Sequence, residues 1–563
     1  MQMQSLTNTR VDKKLLIIVG FCIVFFFIYL WFSYRMPSRF ASPDETANYF
    51  FGGLFAQHNS LRYHEPLNTL AGALVIPRSM TLVNGYTVPV SFLGLPMLYG
   101  AIAKFTGIAS MTLFTPFMAA VSVVFFYLLL KQIFSKTIAF YSSLMLFILP
   151  PFWYYASRGM FHNSLFVSLI IVGLYFLLHG SHSKRSKGGS TLLYFLSGIF
   201  FGLALAVRTS EAPWVVIMLL LMGILHKARI RLFHVLIFLG ASLLVFAPIF
   251  FYNHQLYGSW DSFGYAPLPS VSDISVSVTN VVSHSDFERL WQLILPFGLN
   301  FHRMSVAAYQ YLFLFSPIFS LLLIIGILLL VRRVSLPFIV KFFPHVDSHP
   351  PAPPLPRPQV IYALVFFVIS LWLIIYYGSY IFTEFSDQSV IVLGSSYLRY
   401  WLPIYIFGIP FFIFGLQKLA SFFKNGVLGR MVVVSVVAIF LLGAAMTVLF
   451  DASYGLVPLK ENMKQNNNRE KIVESRTESA SVIISGTADK LFFPQRKVIV
   501  NLPSDITTRD RFLDALLRQT TVYFYFDPFV GNSALDDITS RGFSASPVVS
   551  LSKNGEILYR IGR

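Results

Sequence analysis

The stretch KLLIIVGFCIVFFFIYLWFSYRMPSRFASPDE, Lys14 to Glu45, changes character at Ser33. From Leu15 to Phe32 it carries no charge. Spanning a hydrocarbon core takes about 20 residues of helix, so Lys14 to Phe32 is read as a membrane crossing. No small-residue cleavage site follows it and further apolar runs do, so it is an uncleaved membrane helix rather than a leader. The second half is polar and ends in adjacent carboxylates, Asp44 and Glu45, behind Pro43.

Working outward, the whole chain repeats the first half. Its 563 residues are 55% hydrophobic, 17% aromatic and only 12% charged, which excludes a water-soluble globule. Barrel strands would be shorter and would alternate, whereas Met111–Leu130 and Met431–Phe450 are continuous apolar runs. Crossings are expected near 14–32, 111–130, 137–153, 164–180, 191–207, 212–226, 233–252, 309–331, 359–378, 400–417 and 430–450, about eleven transmembrane helices. The apolar stretch Val88 to Gly107 is broken by Pro89, Gly94, Pro96 and Gly100, and is expected as a re-entrant or juxtamembrane helix.

A formal net charge of +18 invites a nucleic-acid reading, but the positive charges lie at span ends. Basic segments recur at Arg10–Lys14, Lys131–Lys136, Lys184–Lys187, Lys227–Arg231, Arg332–Arg357 and Lys418–Arg430. The positive-inside rule makes these cytoplasmic and puts the N-terminus inside, with no nucleic-acid partner. The opposite side then holds two long loops, 33–107 and 253–308, and the C-terminal tail. Residues 1–450 form the membrane domain, 451–479 a tether and 480–563 a small extracytoplasmic α/β domain. In that tail SVIIS, KVIVN and TVYFYF read as strands, TRDRFLDALLRQ and SALDDITSRG as helices, and VVSLSK with EILYRI as a hairpin. The Pro-rich PAPPLPRP on the cytoplasmic side reads as a linker. The single cysteine, Cys22, excludes an intrachain disulfide and a cysteine metal site. No P-loop and no strand-borne GxGxxG is present, which argues against nucleotide-driven transport or dinucleotide chemistry.

The outer side carries the candidate chemistry. Asp44 and Glu45 suit the first turn of a helix, and Asp44 equally suits a general base toward a hydroxyl at the bilayer surface. Arg158, Arg208 and Arg399 stand at outer span ends, where each is either an interfacial anchor or a bidentate phosphate ligand, and Arg208 has Glu211 nearby as a simple ion-pair partner. Arg62, His64, Glu65, Asn253, Tyr397 and Tyr400 are candidate pocket residues, although Asn253 with Gly258 also reads as a helix end and the tyrosines as an interfacial belt. His64, Glu65, His162 and His254 match no metal-ligand spacing, so no metal site is assigned; a divalent cation is allowed but not required.

Three segments in order, PDE at 43–45, YNHQLYGSWDSFGY at 252–265 and GSSYLRYWLPIY at 394–405, resemble the integral-membrane glycosyltransferases related to protein O-mannosyltransferases and lipid A aminoarabinose transferases, family 39-like. The resemblance implies a GT-C fold and a sugar donor carried on a polyprenyl phosphate. It also implies a catalytic acidic residue in the first outer loop, which falls on Asp44 with Glu45 beside it. Such enzymes transfer a hexosyl or pentosyl group to a protein, lipid or glycan acceptor. The chain departs from the family after Arg158, where SRGMFHNSL offers His162 and Asn163 rather than a second carboxylate. The competing readings are a transporter or flippase, which would place charges in mid-span and repeat its halves, and a non-catalytic assembly or sensor protein.

Overall fold

The computed structural model describes residues 12–33, 40–70, 74–182, 187–226, 231–260, 264, 295, 297–342, 356–382, 390–529, 533–552 and 554–563. Most of the expected second outer loop, and the Pro-rich linker before Pro356, lie outside the described residues.

The expected crossings are helical, but they differ in form. Among the described residues eight helices are long and apolar enough to cross a membrane, from Lys13–Ser33 to Gly426–Phe450, and two more qualify as bent pairs. The eleventh, Thr209–Leu225, is apolar but shorter. One bent pair, Lys136–Ile148 with Pro150–Ala156, turns by 57° where Pro150 and Pro151 withdraw two backbone donors. The other, Phe301–Leu314 with Pro317–Arg332, turns by 101°. The helices share one aromatic-rich core running from Ile18 through Trp401 to Val448. At one end of the bundle the basic segments meet: Lys131 pairs with Asp12 at 3.0 Å, Lys14 Nζ donates to Thr137 Oγ1 at 3.1 Å, and Arg357 donates to the Leu225 carbonyl at 2.6 Å.

The first loop builds the opposite end. Helix Pro43–His58 packs against helix Gly94–Thr106, where Gly100 lets the backbones approach; a Cβ there would stand 2.5 Å from the Gly52 carbonyl. Between them strands Met80–Val83 and Tyr86–Pro89 form a hairpin closed by Asn84 and Gly85, both at positive φ. This is the twist-compatible two-residue turn that Asn-Gly favours. Val88 and Pro89 therefore belong to a strand, and the juxtamembrane helix expected over 88–107 is confined to Gly94–Thr106.

After the last span, helix Leu456–Arg476 leads into a five-stranded sheet. Its order is Lys497–Ile499, Val482–Ile484, Val522–Phe526, Ile557–Gly562, Ser544–Ser550; the first three are parallel and the last two antiparallel. This sheet is fused to the first loop. Leu67 and Val75 of the loop share a core with Phe512 and Leu513, and Phe51 and Leu61 share another with Ile483 and Phe492.

Candidate active site

The site begins with a helix start. Ser42 caps helix Pro43–His58 by accepting from the Asp44 amide at 3.3 Å, Pro43 occupies the first turn, and Asp44 and Glu45 follow where the helix dipole favours anions. The two carboxylates then separate. Glu45 points inward at 3% exposure, whereas Asp44 keeps 28%.

Glu45 is fully engaged. Arg158 grips it with Nε at 3.2 Å from Oε1 and with Nη2 on Oε2, while its Nη1 donates to the Tyr154 hydroxyl at 2.9 Å. The bend at Pro150 and the turn after Ala156 aim Arg158 at the loop helix, and its guanidinium lies 4.5 Å from the Phe161 ring centroid. Burial pulls the Arg158 guanidinium down, but the Glu45 carboxylate, with the Tyr154 hydroxyl beside it, outweighs that and holds the group above its ordinary value. Each charge compensates the other's desolvation.

Asp44 faces a different set. Ser79 donates to its Oδ1 at 2.6 Å, and Arg399 Nη1 stands 3.6 Å from its Oδ2. Arg399 also donates to Ser396 Oγ, with Nε at 3.1 Å and Nη2 at 2.6 Å, and lies over the rings of Tyr400 at 5.0 Å and Phe161 at 5.3 Å. The same Tyr400 ring carries Arg208 at 4.8 Å on its centroid. Arg208 pairs with Glu211 at 2.7 Å and donates to Tyr377 at 3.2 Å, and Tyr377 in turn donates to Glu211 at 2.6 Å. Thus two arginines share one tyrosine ring beside a half-open carboxylate.

His162 and Asn163 stand behind this face. Asn48 Nδ2 lies 3.5 Å from His162 Nδ1, and His162 Nε2 lies 3.3 Å from the Phe92 carbonyl, a pairing that fits the neutral ring protonated on Nε2. Asn163 donates to the Arg399 carbonyl at 3.1 Å.

The remaining sequence candidates make their contacts elsewhere. Arg62 lies over Tyr86, His64 also packs edge-on to Tyr86, and Glu65 accepts from Lys497 of the C-terminal sheet at 2.8 Å. Asn253 is buried near the end of its helix, where Gly258 at φ 81° closes it. Tyr397 stacks among Tyr311, Phe382 and Trp401. His254 packs on Trp260, and among the described residues no three His, Cys, Asp or Glu side chains gather as a metal site.

Sequence reasoning missed Ser79, Asn48, Tyr154 and the two C-terminal residues Asp489 and Lys490. Arg78 donates to Asp489 from its amide at 2.8 Å and from Nε at 2.9 Å, and Lys490 donates to the Ala41 carbonyl at 2.6 Å. Burial, with Arg78 and Arg158 nearby, draws the Lys490 ammonium below its usual value, against the pull of Asp489 and Glu45. The Asn-Gly at 84–85 was the signal for the hairpin that delivers Arg78 and Ser79; nothing local marks Asp489.

Below the arginines lies a cavity of about 550 Å³, almost wholly apolar. It starts at Trp214, whose indole donates to Glu211 at 2.5 Å, and at Pro403, and runs past Met218, Gly223 and Phe407 to Gln132 and Pro358 at the basic end.

A family model described as dolichyl-phosphate-mannose-protein mannosyltransferase matches residues 96–252, less than half of the chain. Arg158 and Arg208 fall inside that segment, Asp44 and Arg399 outside it. No curated protein matches the chain by sequence. Among solved structures, ArnT from Cupriavidus metallidurans bound to undecaprenyl phosphate aligns over 98% of both chains at 11% identity with a TM-score of 0.54. The chain has the GT-C fold. The apo state of the same ArnT gives a TM-score of 0.54 at 11% identity over 97% of both chains. The archaeal oligosaccharyltransferase AglB from Archaeoglobus fulgidus, in complex with an inhibitory peptide and a dolichol-phosphate, aligns at 9% identity with a TM-score of 0.51, over 92% of this chain and 70% of that one. These GT-C likenesses agree with the family resemblance read from the three sequence segments.

Proposed function

We propose that the protein transfers a sugar from a polyprenyl-phosphate donor to a hydroxyl of an extracytoplasmic protein, lipid or glycan acceptor, with inversion and with Asp44 as general base. The observation that carries this reading is the ion pair of the half-exposed Asp44 with Arg399 at 3.6 Å, above an apolar cavity. The donor's lipid chain occupies the cavity below Trp214, and its phosphate sits at Arg399 and Arg208. As the glycosidic bond to phosphate breaks, negative charge grows on the leaving oxygens, and guanidinium donors stabilise it where water is scarce. Asp44, released by Arg399 as the phosphate takes that guanidinium, accepts the proton of the acceptor hydroxyl while it attacks the anomeric carbon on the face away from the phosphate. Its partial exposure leaves it able to reach an acceptor, which the enclosed Glu45 lacks.

Within this reading Glu45 and Arg158 hold the loop helix rather than touch the donor, because Glu45 and Tyr154 already take all three guanidinium nitrogens of Arg158, whereas Arg208 binds Glu211 and Tyr377 through Nε and Nη2. The N-terminus and basic end face the cytoplasm, and the site and the C-terminal sheet face outward from the cytoplasmic membrane. No cation is needed, since arginines supply the positive charge; EDTA then leaves the rate unchanged, whereas loss restored by Mg²⁺ or Mn²⁺ would assign a cation to the site.

The test is transfer of radiolabelled sugar from a panel of polyprenyl-phosphate donors to membrane-extract acceptors by purified protein. Asp44→Asn keeps the shape and loses the base, so transfer falls by ~10²-fold or more; Arg399→Ala costs a comparable ~10²–10³. Full activity of Asp44→Asn would discard the base. Folded protein inert toward every donor would instead direct attention to lipid or solute flux.

A further inference from the structure

We propose that the C-terminal domain is part of the catalytic assembly, with Asp489 and Lys490 as positioning residues that set the Asp44 carboxylate from two sides. The inference rests on the reading of Asp44 as the base and adds what holds it.

The first side runs through the hairpin. Asp489, 1% exposed, takes the Arg78 amide at 2.8 Å and its guanidinium through Nε at 2.9 Å and Nη2 at 2.6 Å. Arg78 Nη2 also donates to the Thr487 carbonyl. The next residue, Ser79, is held at φ 61°, a left-handed conformation uncommon for a residue with a side chain. Its carbonyl accepts from the Val90 amide at 3.0 Å, and its hydroxyl is directed at Asp44 Oδ1 at 2.6 Å. A domain more than four hundred residues downstream of Asp44 therefore fixes the residue adjoining the one that binds its carboxylate.

The second side runs through the helix cap. Lys490 donates to the carbonyl of Ala41, the residue before the capping Ser42, so the start of the Asp44 helix is tied to the same short C-terminal segment. Phe493 closes the contact on Phe50 at 4.9 Å between ring centroids. Residues 487–493 thus clasp both the cap and the hairpin, and Asp44 lies between them. A domain that merely decorated the outer surface would need neither a buried carboxylate on Arg78 nor an ammonium directed at a cap carbonyl.

The test uses full-length protein in lipid nanodiscs and the variants Ser79→Ala, Asp489→Asn, Lys490→Met and Ser79→Ala with Asp489→Asn. Hydrogen exchange is read over residues 42–48 and 76–82, and kcat and donor KM are read with the polyprenyl-phosphate donors of the transfer assay, normalised to sites that bind undecaprenyl phosphate. Lys490→Met is expected to raise exchange over 42–48, and Asp489→Asn over 76–82. Ser79→Ala and Asp489→Asn are each expected to lower kcat ~10-fold with KM within ~2-fold, because misplacing a reacting group costs rate rather than ground-state binding. The double variant should lose little more than either single one, since both act on one contact. Unchanged exchange over 42–48 in Lys490→Met or over 76–82 in Asp489→Asn, or losses that multiply independently, would overturn the proposal. Full transfer by Asp44→Asn would remove the base reading itself, whereas the exchange result would still report whether the domain holds the Asp44 helix.

Discussion

Adjacent residues in one helical turn acquire opposite fates here. Glu45 turns into the bundle and is neutralised by Arg158, whereas Asp44 stays at the surface of the site with Ser79 and Arg399. A carboxylate at 3% exposure cannot lose its partner cheaply. Glu45→Gln is expected to cost about 3–5 kcal/mol by leaving the Arg158 charge buried and uncompensated. The double variant Glu45→Leu with Arg158→Met should recover much of that loss, because apolar replacement of both partners removes the desolvation penalty. Thermal unfolding in detergent reads both, and equal destabilisation of single and double variants would show that the pair contributes through shape alone. The adjacency of Asp44 and Glu45 behind Pro43 was visible in the sequence, as was the placing of arginines at span ends. Their division of labour was not, since it depends on which side of a helix faces Tyr154 and which faces Ser79.

Elements rather than residues decide how near the loop helix sits to the bundle. Helices Pro43–His58 and Gly94–Thr106 meet where Gly100 faces the Gly52 carbonyl, with no room for a methyl group. Gly100→Ala is therefore expected to force the two apart and destabilise by about 1–3 kcal/mol, despite alanine's better helix propensity. Gly20→Ala serves as the control, because a Cβ at Gly20 meets nothing within 4 Å. Thermal unfolding of the two variants separates packing from propensity; a shift of equal size at both would dismiss the close approach. At this scale apolar run length revealed the spans, and alternation revealed the strands Val482–Ile484 and Val522–Phe526. The hairpin at Met80–Pro89 escaped because its strands are only four residues each and border an apolar stretch that reads as helix. Contacts such as Arg78 with Asp489 or Glu65 with Lys497 have no local signature, for they join segments that only the folded chain brings together.

Across the whole molecule, charge and apolar space are segregated along one axis. Cations that pair with Asp12 and the Leu225 carbonyl mark one end, the arginines beside Asp44 mark the other, and the cavity of about 550 Å³ connects the neighbourhood of Trp214 with that of Pro358. A site for a free nucleotide sugar would have no use for such a channel, whereas a donor with a long isoprenoid tail needs an apolar space beside its phosphate, where it gains by close packing rather than by leaving water, since the tail already lies in lipid. Gly223 lines the cavity and a Cβ there meets nothing within 4 Å, so a large side chain can enter the space without first disturbing the backbone. Gly223→Trp is accordingly expected to raise KM for a long-chain polyprenyl-phosphate donor by ~10-fold or more, while a donor truncated to two or three isoprene units, too short to reach Gly223 from the arginines, keeps its KM. The comparison is internal to one variant, so a loss of folded protein lowers both rates alike and leaves their ratio untouched. Equal sensitivity of the two donors would place the lipid chain outside this cavity, and the arginines would then hold a phosphate whose tail lies along the outer surface of the bundle.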